Sequence, residues 1–338
     1  MPVPQARFTE LLQDIEPSAT TTSRASGANT RIRAHLRTQA DFKSRYVTSF
    51  LSGSYMRDTS IRPRRIGTDH ERPDVDIIVV TNFTADDAPD WVLKQVCRAL
   101  EDGGDGFDVK RINKRSVRVE TWQADMDIVP VIETWDGYLI ADRDTGTWIY
   151  TNPPVHTSWS ADQNKRFGGR FNKLVKLLKW WRRTNPTGRR PKGFVLEVLV
   201  ALHAPAGETH YGEAFAQLLS NIYNAYAALA RNDQKPFIAD PAVPTNDILA
   251  KVSIAQWKEF LEKVRVYADI AHRAQAADDM EEATRQWRRV FGDRFKPTGT
   301  VAKAASFGGL ARASAPSAGY TFPDAMAAPT NNKPRGFA

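Results

Sequence analysis

The segment Asp74-Val75-Asp76-Ile77-Ile78-Val79-Val80 constrains this chain more than any other stretch. It begins with alternation and ends as a continuous apolar run, the pattern of a strand that enters a sheet buried on both faces. Side chains two apart on a strand point the same way, so Asp74 and Asp76 share one face at its head. Two carboxylates so placed form a ligand pair for a hard divalent cation such as magnesium, which takes oxygen ligands and keeps phosphate oxygens and water in its shell. A third carboxylate from a neighbouring strand would complete a two-ion site, in which one ion activates an attacking hydroxyl and the other stabilises a leaving pyrophosphate. Asp127, heading the run DIVPV, is the preferred third member. Asp125 shares its strand face and competes for the role, but Asp127 directly precedes the apolar core and the proline.

Twenty residues before Asp74 lies Gly53-Ser54. Glycine lets backbone approach a phosphate with no side chain in the way, and the serine hydroxyl can donate to it. Between them runs a basic loop with Arg57, Arg62, Arg64, Arg65 and Arg72. A gap of this length is too long for a rigid turn, so the loop is expected to fold back, with its arginines meeting phosphates or nucleobases.

The elements around these residues set the expected fold class, α/β followed by α. Residues 1–50 read mostly as helix, with Thr21 and Ser23 as N-caps before Ile32, Leu36, Phe42 and Val47. A short amphipathic helix is expected over 89–101. VKRINKRSVRVETW and DMDIVPVIE read as two strands, and Tyr138 to Tyr150 as a hairpin. Phe167, Phe171, Leu174, Leu178 and Trp181 then form one apolar helical stripe, with Lys173, Lys176, Lys179 and Arg183 largely off it. Helices are also expected over 194–203, 214–230, 254–277 and 280–291. Beyond Pro297 the sequence loses periodicity and becomes rich in Ala, Gly, Ser, Pro and Asn, the composition of a disordered tail. The expected domains are an N-terminal helix and α/β lobe over 1–158, a helical lobe over 159–297 and a tail over 298–338.

Composition narrows the function classes. A net charge of +8 in 338 residues suits a polyanionic ligand, nucleic acid or nucleoside triphosphate. Cys97 is the lone cysteine, which excludes an intrachain disulfide framework and a cysteine-based zinc site. The N-terminus lacks a signal-peptide pattern. The most apolar stretch, 193–204, is interrupted by Glu197 and falls short of the ~20 residues a membrane span needs. A soluble, cytoplasmic protein is expected.

The pattern GSYMRDTSIRPRR, RPDVDIIVV and MDIVP resembles the polymerase-β-type nucleotidyltransferases and, more narrowly, the cGAS/DncV-like nucleotidyltransferases (CD-NTases) of bacterial antiphage systems. KLVKLLKWWR at 173–182, PKGFVLEVLV at 191–200 and RQWRRVFGDRF at 285–295 extend the likeness through the helical lobe, with clade D as the nearest branch. The resemblance implies a polymerase-β-like core joined to a helical C-terminal lobe. It implies that Asp74, Asp76 and Asp127 hold two Mg2+ ions, with Mn2+ as a substitute. It also implies that Gly53 and Ser54 grip the donor triphosphate, that Lys179 reaches phosphates and that Phe194 stacks on a base. The chain departs from animal relatives at Gly193, where they carry serine. The implied reaction condenses nucleoside triphosphates, ATP favoured, into a cyclic oligonucleotide, with cyclic tri-AMP as the product guess. A downstream effector would bind that product, and a regulatory or ubiquitin-transfer-like partner would act on the C-terminus at Ala338. A tailing polymerase acting on RNA ends would use the same carboxylates and is the main alternative. A nucleotide-binding module without catalysis is disfavoured by the intact acidic trio, and an antitoxin-type transferase by the chain's length.

Overall fold

The computed structural model describes residues 3–63, 65–66, 69–70, 72–101, 107–186 and 191–297. The expected tail, with Ala338, lies outside the described residues, as do Arg64 and the side chain of Arg65. In chain order the elements are α1 (Gln5–Ile15), α2 (Ala19–Thr38), β1 (Tyr46–Ser52), α3 (Gly53–Met56), the two-residue strands β2 (Arg65–Ile66) and β3 (Asp69–His70), β4 (Asp74–Thr81), α4 (Pro89–Glu101), β5 (Asp108–Ile112), β6 (Val117–Glu120), β7 (Asp125–Glu133), β8 (Tyr138–Asp142) and β9 (Thr147–Thr151). Helices follow: α5 (Pro153–Arg166), α6 (Phe171–Thr184), α7 (Gly193–His203), α8 (Tyr211–Arg231), α9 (Ile254–Ala276) and α10 (Met280–Phe291).

The chain divides into two compact units, and it crosses between them several times. The first takes in α1, the segment that starts at Ser54, and residues 155–297; the second holds residues 19–53 and 72–154. The boundary expected at 158 therefore lies close to one crossing, but α1 and the segment after Ser54 belong with the helices rather than with the sheet.

The second unit is a seven-stranded sheet with the order β1-β4-β7-β6-β5, to which β8 and β9 are added beside β7. β4 and β7 run parallel, and every other pairing in this sheet is antiparallel. A parallel pair needs a crossover, supplied here by α4 and the β5–β6 hairpin; α4 packs against β5, β6, β7 and β8. On β4, Val75, Ile77 and Val79 are buried on one face, and Ile78 and Val80 are buried on the other with Val129, Val131 and Tyr138. Both faces beyond Asp76 are thus covered, which is why this strand reads as a continuous apolar run.

The structure differs from the sequence reading in several places. Tyr46–Ser52 is a strand, not the end of a helix: α2 stops at Thr38, and the β-branched and aromatic residues Val47, Thr48 and Phe50 pair along β4. The stretch VKRINKRSVRVETW is not one strand but the hairpin β5–β6, turning at residues 113–116. Thr21 and Ser23 lie inside α2, which begins at Ala19, so they do not cap it.

In the first unit, Phe171, Leu174, Leu178 and Trp181 of α6 are inside one large core; Phe167, expected on the same helical stripe, lies instead in the turn between α5 and α6, where Gly168 and Gly169 take left-handed φ values, yet its ring joins that core. Ser253 and Gln256 close a capping box at the start of α9, and the Asp279 side chain accepts the Glu282 amide at the start of α10. Among the described residues no helix is long and apolar enough to cross a membrane.

The N-terminal helix α1 is part of this core. The Phe8 ring meets Trp287 edge-on with centroids 5.0 Å apart, and it also touches Phe291, Phe295 and His210. A fully buried aromatic cut to alanine costs ~3–5 kcal/mol. Phe8→Ala is therefore expected to shift the urea midpoint of the helical unit down by that amount of stability, read by tryptophan fluorescence; an unchanged midpoint would show that α1 is not an integral part of this core.

Candidate active site

Strand register gathers the acidic residues. The parallel pairing sets Asp74 opposite Asp125 and Asp76 opposite Asp127. β1 places Ser52 opposite Asp76, and β6 places Arg118 opposite Asp127. Ser52, Asp76, Asp127 and Arg118 thus form one row across four strands. By strand alternation the aspartates share the face that carries Ile78, Val80, Val129 and Val131, so they sit at the end of an apolar cluster.

Arg118 ties the acidic residues together. Its Nη1 donates to Asp127 Oδ2 at 2.6 Å and also to Asp74 Oδ1, so those two carboxylates meet at a single nitrogen. Its Nη2 donates to Asp125 Oδ2 at 3.0 Å. Burial works against the Arg118 charge, but Asp74 and Asp127 outweigh it and raise its pKa above the usual arginine value. Partial desolvation pushes the Asp74 carboxyl above its ordinary range; Arg118 pulls it down, and Asp127 and Asp125 push it further up.

Asp127 is oriented further by the β5–β6 turn, where Asn113 Nδ2 and Ser116 Oγ donate to Asp127 Oδ1 at 3.0 and 2.9 Å. Asp125 is instead engaged by Arg72 Nε as well as Arg118, and Arg72 also holds Glu120 at 2.7 Å. Asp125 is thus committed to guanidinium partners on both oxygens, while Asp127 is aimed by neutral donors and one arginine. This favours Asp127 over Asp125 as the third carboxylate.

Gly53 sits against this row. Its φ of +72° is a left-handed conformation that favours glycine, and a Cβ built on it would fall 1.8 Å from Asp76 Oδ2. The contact requires a residue without a side chain next to the catalytic-type carboxylate. Ser54 opens the segment of the first unit, and its carbonyl accepts the amides of Thr59 and Ser60 at 2.9 and 3.1 Å.

Lys179 and Phe194 lie in the helical unit, and both are engaged within it. The Lys179 ammonium is buried; it donates to Glu197 Oε1 at 2.8 Å and to Thr59 O at 2.9 Å. The Phe194 ring is half-buried, with the Arg57 guanidinium 5.1 Å over it and His156 edge-on at 4.9 Å. A Cβ on Gly193 would come within 3.3 Å of Lys179 Cε. That gives the departure at Gly193 a local reason, since glycine leaves Lys179 room to reach Glu197.

Three of the loop arginines, Arg57, Arg62 and Arg72, are also bound to protein. Arg57 pairs with Glu197, Arg62 donates to Glu16 O and Gln13 O, and Arg72 holds Asp125 and Glu120. Arg118, Asn113, Ser116 and Glu197 were not singled out as site residues by sequence reasoning. The first three depend on strand register and a hairpin turn, which residue spacing does not reveal. Glu197 did carry a signal: a carboxylate inside Phe-Val-Leu-Glu-Val-Leu-Val.

The donor set is all oxygen, the ligand chemistry of magnesium. Among the described residues no three acidic, histidine or cysteine side chains are gathered as a ready cage for a metal ion, and the Arg118 guanidinium pairs with both Asp74 and Asp127.

A mixed sheet with an acidic row at the head of two parallel strands, next to a glycine in the left-handed region, is the arrangement that the resemblance to polymerase-β-type nucleotidyltransferases implies. A family model described as "Second Messenger Oligonucleotide or Dinucleotide Synthetase domain" matches residues 1–164. The chain is 43% identical over 339 residues to a cyclic AMP-AMP-AMP synthase of an Acinetobacter strain, spanning 99% of this chain and 97% of that protein. It is 27% identical to a cyclic AMP-AMP-GMP synthase of Enterobacter hormaechei, covering 86% of this chain and 91% of that one. The CD-NTase CdnG of Bradyrhizobium diazoefficiens, solved with GTP, has a similar fold, with a TM-score of 0.70 and 17% identity over 86% of this chain and 95% of that chain. The chain belongs to the cGAS/DncV-like nucleotidyltransferases, the CD-NTases, whose members are cyclic oligonucleotide synthases. This family assignment favours cyclic-oligonucleotide synthesis over RNA tailing.

The Gly53–Asp76 contact yields a direct test. Gly53→Ala adds a methyl that collides with the Asp76 carboxylate and strains the backbone. Nucleotide turnover is expected to fall at least about hundredfold while the circular dichroism spectrum stays native, since small displacements at a reacting centre are that costly. Wild-type turnover in that variant would contradict the geometry described for Asp76.

Proposed function

We propose that this chain condenses ATP into cyclic tri-AMP, using the row of Asp74, Asp76 and Asp127, as part of an antiphage signalling system. The observation that carries the product assignment is the 43% identity, end to end, with a cyclic AMP-AMP-AMP synthase. The observation that supports the site is the register that sets Asp76 beside Asp127, with Asp74 joined to Asp127 through Arg118.

In each condensation the 3′-hydroxyl oxygen of one nucleotide attacks the α-phosphorus of the next. The new P–O bond forms, the bond to the β-phosphate bridging oxygen breaks, pyrophosphate leaves, and the hydroxyl proton passes to a base or solvent. Two such steps extend the chain and a third closes it. Asp74, Asp76 and Asp127 would hold magnesium, or manganese in its place, which when bound supplies charge neutralisation at the pyrophosphate and acidification of the hydroxyl. Asp127 is aimed by Asn113 and Ser116. Arg118 must release Asp74 or Asp127 for a dication to gain those oxygens, and its charge is then available to a phosphate. Gly53 lets backbone approach the donor triphosphate and Ser54 offers it a hydroxyl. Phe194 offers a face for a base, a contact worth about 1–3 kcal/mol. The product would be read by a downstream effector.

Two measurements test this reading. Wild-type protein with all four ribonucleoside triphosphates and magnesium is expected to yield a phosphatase-resistant product with the mass of three cyclised adenylates; a product containing guanylate would overturn the base assignment, and a growing RNA the cyclisation. Asp74→Asn with Asp76→Asn is expected to lower pyrophosphate release by at least about three orders of magnitude, since metal-stabilised charge is worth several kcal/mol, with an unchanged thermal unfolding profile. Retained turnover would remove these carboxylates from the chemistry.

A further inference from the structure

The helical unit holds the segment after Ser54 by each residue in turn. The chain leaves α3 through Arg57-Asp58-Thr59 and closes on itself where the amides of Thr59 and Ser60 donate to Ser54 O. Arg57 binds Glu197 with two prongs, Nε to Oε2 at 2.8 Å and Nη2 to Oε1 at 3.2 Å. Thr59 is fully buried; its hydroxyl donates to Glu197 Oε1 at 2.9 Å and accepts from Lys179 Nζ at 3.2 Å. Lys179 also binds the Thr59 carbonyl and Glu197 itself. Between them Asp58 adopts a left-handed φ of +52° and accepts from Lys176 Nζ at 2.8 Å.

Such a backbone conformation is unfavourable for a residue with a side chain, and it persists where the surroundings over-determine it. Glu197 is the hub of that determination. It has no exposure, sits in the middle of the apolar helix α7, and collects Arg57, Thr59 and Lys179. Burial alone would raise its carboxyl, but Lys179 and Arg57 outweigh burial and hold it at about 2. It is charged at any physiological pH. A buried ion cluster of this kind is a poor source of stability compared with apolar packing, so its value is the single geometry it imposes.

We infer that Glu197 is a positioning residue for nucleotide binding: through Arg57, Thr59 and Lys179 it locks residues 54–60, so that Ser54 presents its hydroxyl in one orientation to the donor triphosphate. Lys179 contributes to this lock by holding Glu197 and Thr59. The inference rests on the reading of Ser54 as a triphosphate ligand, and it makes the sequence's one charge in the 193–204 run part of that grip.

The test uses the full chain and magnesium with a non-hydrolysable ATP analogue, followed by calorimetry, together with KM and kcat for ATP and the melting temperature. Glu197→Gln removes the hub's charge. Thr59→Val removes one hydroxyl without changing volume, and Thr59→Ser restores it. Glu197→Gln and Thr59→Val are expected to weaken analogue binding and raise KM by about tenfold or more, with kcat changing less, as loss of a pre-set binding geometry requires. Thr59→Ser is expected to stay near wild type. If Glu197→Gln does not fold, the valine and serine pair decides alone. Folded Thr59→Val protein with wild-type affinity and KM overturns the inference. So does a lowered melting temperature with unchanged affinity and KM, which marks a structural cluster. Failure of the wild-type protein itself to bind the analogue overturns the nucleotide reading, and this inference with it.

Discussion

The pairing of β4 with β7 governs what this molecule can do. The two strands run parallel, in a register that sets Asp74 beside Asp125 and Asp76 beside Asp127. Carboxylates crowded on one face repel one another, and the apolar cluster of Ile78, Val80, Val129, Val131 and Tyr138 at their end offers no dielectric relief. Such a face must be matched by positive charge. Arg118, brought opposite Asp127 by β6, supplies part of it by bonding Asp74, Asp125 and Asp127, and Arg72 supplies more at Asp125. The residual demand for cations is what supports the proposed magnesium site. A one-residue slip of β7 would turn Asp127 to the opposite face and dismantle the site.

Around that register the other residues act by steric and geometric fixing. The absent side chain of Gly53 makes room for the Asp76 carboxylate, and the β5–β6 turn contributes Asn113 and Ser116 to aim Asp127. The helical unit fixes its own segment, residues 54–60, through the buried Glu197 and its three partners.

Much of this was legible in the sequence. Asp74 and Asp76 announce themselves because strand periodicity and the buried run after them are local properties. The α6 stripe and the helices of the C-terminal half follow from their 3.6-residue period for the same reason. Less was legible where long-range pairing decides. Tyr46–Ser52 reads as helix until β4 is there to pair with it, and the lysines of α6 read as a solvated face until Glu16, Asp58 and Glu197 are seen to hold Lys173, Lys176 and Lys179. Arg118 is one basic residue among many in VKRINKRSVRVE, and only the β6–β7 register selects it. The Glu197 cluster joins positions up to 140 residues apart, which no local pattern encodes.

The central proposal is that Asp74, Asp76 and Asp127 collect divalent cations for nucleotide chemistry. The most direct measurement is anomalous diffraction from crystals of the full chain grown with manganese and a non-hydrolysable ATP analogue. The expected result is manganese peaks ligated by the carboxylates of Asp74, Asp76 and Asp127 and by the analogue's phosphates, with Arg118 withdrawn from at least one aspartate. Manganese bound elsewhere, or an analogue seated away from this row while Arg118 keeps all its aspartate bonds, would contradict it.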